Sequence, residues 1–184
     1  HGHQLRPGKA GDGLRQAVDW KKAWGFDFSL YAPIFDAGHS GGARFVALNA
    51  PRDLVRAVRT KGLEGLSADE KSHLPDLDLG DELHRAWFER IFSSAGHPLK
   101  EAEFQGFYRA QVTGDETMAQ GAADAVNAGA RQVVVLAGAG HVANGRGIPQ
   151  RVERRLGGRV LSVVPLSGVD SDNAKESVLR AVQS

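Results

Sequence analysis

Apolar residues along this chain follow two patterns: a recurrence every three to four positions, and short uninterrupted runs. The first predicts amphipathic helices, the second buried strands. Leu14, Val18, Trp20 and Trp24 keep helical spacing. Asp27 is placed to cap a second helix carrying Leu30, Tyr31, Ile34 and Phe35, which must start late or kink because of Pro33. Pro51 suits the first turn of a helix through Leu54, Val55 and Val58, closed by Gly62. Ser67 and Glu70 form a capping-box pattern. Asp81 can cap a helix that turns Trp87, Phe88 and Ile91 inward, and a break follows at Gly96, His97 and Pro98. A long helix is expected from about 100 to 127, with Phe104, Tyr108, Val112, Met118, Ala122 and Val126 at helical spacing. Pro149 and Gly157 bracket another helix, and Asp172 or Asn173 caps a terminal one.

The apolar runs 44–49 (RFVALN), 131–137 (RQVVVLA) and 159–165 (RVLSVVP) read as strands covered on both faces. Strands alternating with helices predict an α/β fold, a mostly parallel sheet flanked by helices, with a smaller all-helical subdomain. The expected organisation is a flexible arm over 1–12, a partial α/β sheet domain over 13–50 and 128–184, and a helical cap subdomain over 51–127. Three strands fall short of the usual four to six, so either further strands escape this reading or the chain is the back part of a larger protein.

Composition narrows the choice of function. The 184 residues are 41% hydrophobic and 24% charged, enough to bury a core. Lys and Arg number 23 against 22 Asp and Glu, so the concentrated basic excess of a nucleic-acid binder is missing and no such partner is expected. There is no cysteine, which rules out disulfides, thiolate metal sites and a cysteine nucleophile.

Chemistry is expected beyond the carboxyl ends of strands. His141 follows one such end through Gly138 and Gly140, which permit close backbone approach. An imidazole there can ligate a metal or heme iron, act as a general base, or only tie down its own loop. Asn49 and Arg52, after the first run, suit a carboxylate such as a propionate, or plain turn chemistry at a helix start. Arg146 is a second anion contact or an exposed arginine. Tyr108, facing the core of the long helix, and His97, in the Gly-His-Pro break, are candidate iron ligands whose bland alternatives are packing and a turn. Asp115 and Glu116 are adjacent and do not share a helix face, so a solvated pair is favoured over an acid–base pair.

Several stretches in order resemble the ChaN-like family of heme-binding, iron-regulated bacterial proteins, itself similar to the erythromycin esterase and Tiki-type group. They are Val18-Asp19-Trp20 through Leu30-Tyr31-Ala32-Pro33-Ile34-Phe35, Ala47-Leu48-Asn49-Ala50-Pro51-Arg52, Asp115-Glu116-Thr117-Met118-Ala119, Gly138-Ala139-Gly140-His141-Val142 and Gly147-Ile148-Pro149. The family pattern begins with strands bearing a Gly-Glu-x-His-type element, and that front part is absent here. The resemblance implies heme as cofactor and a homodimer about it. It also implies a role in iron uptake and a cell-envelope location, periplasmic or as a lipoprotein whose only membrane association is a lipid anchor. The site it implies is a crevice between sheet and helical subdomain lined by Tyr108, His141, His97, Asn49, Arg52, Gly138 and Gly140. The alternative it carries is a metal-dependent hydrolase, with His141 as a ligand of a divalent metal.

Overall fold

The structure, a computed structural model, describes residues 18–94 and 100–165. The arm over 1–12, His97 and the terminal helix lie outside the described residues. The chain divides into two compact units, one ending at Ala47 and the other beginning at Leu48.

In the first unit the helices are short and aromatic rings hold them together. Helix α1 is Trp20–Trp24, followed by a 3₁₀ turn at Phe28–Leu30 and by α2 at Ala32–Ser40. Asp27 does cap, but it caps the 3₁₀ turn, accepting the Ser29 N–H. Pro33 then falls in the first turn of α2, where its missing N–H costs nothing. Trp20 is buried against Trp24, Phe28, Tyr31 and Phe35, at ring separations of 5.0–5.6 Å, and its indole N–H donates to the Phe26 carbonyl. Tyr31 is part of this stack.

The second unit is organised around one long helix. Its helices are α3 (Arg52–Lys61), α4 (Ala68–Ser72), α5 (Glu82–Ser94), α6 (Glu101–Asn127) and α7 (Ile148–Leu156). Helix α6 packs against α3, α5 and α7, so it is buried on more than one face. Met118, Ala119 and Ala122 meet Ile148 and Val152 of α7. Phe104, Tyr108 and Val112 meet Phe88 of α5. The approach of α3 is possible only because residue 106 is glycine: a Cβ there would lie 2.6 Å from the Arg59 carbonyl. Local signals hold where the sequence placed them. Ser67 and Glu70 exchange backbone hydrogen bonds in a complete capping box, and Gly157 closes α7 in the left-handed conformation.

The expected sheet is not there. Among the described residues the chain is all helical and no strand pairs with another, so the α/β fold, its parallel sheet and the crevice beside that sheet are corrected. The run 131–137 forms no strand and lies on helices. Val133, Val135 and Ala137 pack on the α6–α7 core, while Val134 and Leu136 point outward, Val134 at 75% exposure. The run 159–165 is more open still, with Leu161 87% exposed. An apolar run reports a tendency to be extended and covered. It cannot report a pairing partner, and here helices supply the cover on one side only.

Candidate functional site

Helix α6 presents Tyr108, Gln111 and Asp115 at spacings of three and four, along one face. The N-terminus of α5 brings Asp81, His84 and Trp87 to the same place, and the loop 138–147 brings His141 and Arg146. His141 sits in a 3₁₀ turn (Ala139–His141) closed by its own N–H on the Gly138 carbonyl. The loop closes on Gly147, which no other residue replaces without strain. Its φ is +69° with ψ −123°, and a Cβ would collide with the His141 carbonyl.

The centre of the site is Asp115, fully buried. Its Oδ1 lies 2.6 Å from His141 Nδ1, and its Oδ2 3.5 Å from Nε2 of His84. His84 is also fully buried, with Nδ1 3.4 Å from the Tyr108 hydroxyl. That hydroxyl lies 3.2 Å from the Asp81 carbonyl oxygen. Asp81 caps α5 by accepting the His84 N–H and grips Arg146 through both carboxylate oxygens at 2.8 and 2.9 Å. Gln111 Nε2 reaches the Gly140 carbonyl and both oxygens of Asp115. It also stands 3.0 Å from His141 Nδ1. That nitrogen, committed to Asp115, carries a hydrogen, so two donors meet there and the contact is no hydrogen bond.

Burial sets the protonation of the inner groups. Desolvation holds the His84 imidazole below its ordinary value, against the pull of Asp115. It also pushes the Tyr108 phenol up to about 12, so the phenol stays neutral. Asp81 is pushed upward by burial too, but the His84 N–H and Arg146 outweigh this and hold its carboxyl below the usual range. His141 reaches outward. Its side chain is 31% exposed and its Nε2 has no hydrogen-bond partner among the described residues.

On the next face of α6, Glu116 is equally buried but differently held. Arg151 Nε, Arg154 Nη2 and Arg155 Nη2 lie 3.0, 2.9 and 2.7 Å from it, and the Asp78 N–H donates at 3.1 Å. The Arg151 and Arg155 contacts are close but off-line, ion pairs without an aligned hydrogen bond. The reading of Asp115 and Glu116 as a solvated pair is therefore overturned, since both are buried in charged networks.

Tyr108 is brought into the His141 network as a buried member, and Gly138 and Gly140 shape its loop. Asn49 and Arg52 are exposed at the start of α3, and the hydrogen bonds around His141 are made without them. Arg146 spends its charge on Asp81. His84 and Gln111 escaped the sequence reading, although His84 sits three residues after a cap and on the face of Trp87 and Phe88.

Comparison with known proteins fixes the family. The sequence pattern described as "Haem-binding uptake, Tiki superfamily, ChaN" matches residues 5–152. The chain belongs to this ChaN family. The matched stretch contains Asp81, His84, Tyr108, Asp115 and His141. The ChaN-family chain is also 30% identical, over 137 residues, to the Arabidopsis thaliana protein RETICULATA-RELATED 5, chloroplastic. That alignment takes in 68% of this chain and 19% of the plant protein, so the chain spans about a fifth of that curated relative. No solved structure matches.

The donor set can be tested against heme. A macrocycle already fills the equatorial positions of its iron and asks the protein for one or two axial atoms. A bare divalent ion asks for three or more. Among the described residues no group of three or more His, Asp or Glu is arranged to hold a metal ion. His84 and His141 both turn a nitrogen toward Asp115 instead of toward a common centre. One outward imidazole backed by a carboxylate fits an axial contact. No described helix is long and apolar enough to cross a membrane.

Proposed function

We propose that the chain binds heme for uptake, with His141 Nε2 meeting the iron at the exposed edge of the loop 138–147. The supporting observation is the exposed imidazole whose inner nitrogen is 2.6 Å from a fully buried carboxylate, the arrangement found behind metal-ligating histidines. When bound, the heme supplies an iron that accepts a nitrogen lone pair and a visible absorption that reports it. The chain's residues do the rest: Asp115 orients His141, Gln111 fastens the Gly140 carbonyl beside it, and Trp87 lies next to Gly140 as an aromatic wall. Tyr108 supports the site from behind, with its hydroxyl enclosed. Family resemblance alone supports the two finer parts of the reading, a homodimer about the heme and a cell-envelope location.

The test is a hemin titration of the chain followed at the Soret band. Wild type is expected to shift and sharpen the band, and His141→Ala to abolish that change. An unshifted wild-type band, or a His141→Ala titration that overlays it, overturns the reading. The hydrolase alternative keeps His141 as its metal ligand and needs further donors, and no group of three or more His, Asp or Glu among the described residues is arranged to hold a metal ion.

A further inference from the structure

We propose that Asp115 is the positioning residue of this site: it fixes the proton of His141 on Nδ1, so that the outward Nε2 always presents a lone pair. The inference rests on the heme reading for its functional meaning, but its geometric content stands on the ligand-free protein.

The argument is an account of protons along one chain of contacts. Asp115 has two oxygens and each faces an imidazole nitrogen, His141 Nδ1 at 2.6 Å and His84 Nε2 at 3.5 Å. A bare nitrogen at 2.6 Å from a carboxylate oxygen would set lone pair against lone pair, so His141 Nδ1 carries the hydrogen. His84 Nε2, at 3.5 Å from the other oxygen, faces Asp115 without an aligned hydrogen bond. His84 is fully enclosed, with Nδ1 3.4 Å from the Tyr108 hydroxyl, whose hydrogen goes to the Asp81 carbonyl at 3.2 Å. Tyr108 in turn is held near the Asp81 carbonyl, and Asp81 is locked to Arg146 of the His141 loop. Gln111 closes the last open side of Asp115 with its amide hydrogens. At His141 only one tautomer satisfies the 2.6 Å contact with Asp115. Exchanging the tautomer of His141 breaks its bond to Asp115 and points a hydrogen at any incoming electrophile. Asp115 thus acts on the iron only through His141, and His84 and Tyr108 act only through Asp115.

The experiment has two arms. In the first, ¹⁵N-histidine-labelled, ligand-free chain is studied by long-range ¹H–¹⁵N correlation at a pH where the rings are neutral. His141 is expected to show a protonated Nδ1 and a bare Nε2, and Asp115→Asn to move the proton to Nε2, because an amide can offer its own N–H to Nδ1. A wild-type His141 protonated on Nε2 overturns the inference without any variant. So does an Asp115→Asn spectrum that keeps the wild-type tautomer. In the second arm the same proteins are titrated with hemin. Asp115→Asn is expected to weaken binding by about ten- to a hundred-fold, Asp115→Glu to recover part of it, and His84→Gln to cost less than Asp115→Asn. Equal affinity for Asp115→Asn and wild type overturns the inference. An unchanged His141→Ala titration overturns the heme reading instead, and the first arm still decides the tautomer.

Discussion

Two neighbouring carboxylates on α6 show how the same side-chain chemistry at the same depth produces opposite outcomes. Asp115 and Glu116 are both fully buried. Glu116 meets three guanidiniums and a backbone N–H, all permanently charged or fixed. Asp115 meets two imidazoles and an amide, and one of those imidazoles has a second nitrogen facing outward. A guanidinium ends a network, because it has no acceptor and no second state. An imidazole extends one, because its far nitrogen carries whatever the near nitrogen lacks. Burial alone therefore does not mark a site; the partner decides.

The comparison breaks most visibly in stability. Glu116→Gln takes the carboxylate from the buried Arg151 and Arg155, while Arg154 keeps Asp78, and is expected to cost about 3–5 kcal/mol, whereas Asp115→Asn keeps a hydrogen-bonding side chain in place and costs about 1–3 kcal/mol. Chemical denaturation of both variants measures the gap, and equal losses would erase the distinction drawn between the two faces. Next in size is Gly147→Ala. Left-handed φ with a Cβ aimed at the His141 carbonyl costs about 1–3 kcal/mol. Hemin titration should show a larger proportional loss than for a core variant of equal Tm, because the strain falls on the loop that carries His141.

Acid sharpens the contrast further. The folded chain keeps His84 neutral below the ordinary imidazole range, so the unfolded chain binds the extra proton. Stability contributed by His84 is present above about pH 6.5 and declines as pH falls from there. Asp81, held below its usual value, adds a second decline beneath about pH 4. Denaturation midpoints across pH 8 to 5 should fall in wild type and flatten in His84→Gln. The smallest effect is at the capping box: Ser67→Ala should cost about 1 kcal/mol in a thermal melt and leave hemin titration unchanged.

What was legible in the sequence was local. Ser67 with Glu70, Pro149 with Gly157 and the long apolar periodicity of 101–127 announce their elements because cap, ring and stripe act within a turn or two. His141 was visible for the same reason, as a lone imidazole behind two glycines. The sheet was misread because pairing is a long-range fact, and Val133, Val135 and Ala137 satisfy their need for cover on helices. The burial of Asp115 and Glu116 was missed because charge was weighed before position. Val112 and Ala119 lie one helical turn away from both, and Met118 one turn from Asp115, placing the pair inside the apolar stripe. The arginines at 151, 154 and 155, spaced to share a helix face, were the matching half of that signal.

The grip of Asp81 on Arg146 ties together two motions that would otherwise be separate. The same carboxylate that latches the glycine-rich loop also caps the first turn of α5, and it does so at the N–H of His84. One carboxylate is thereby shared between the loop and the first turn of α5, so a substitution at Asp81 loosens both at once.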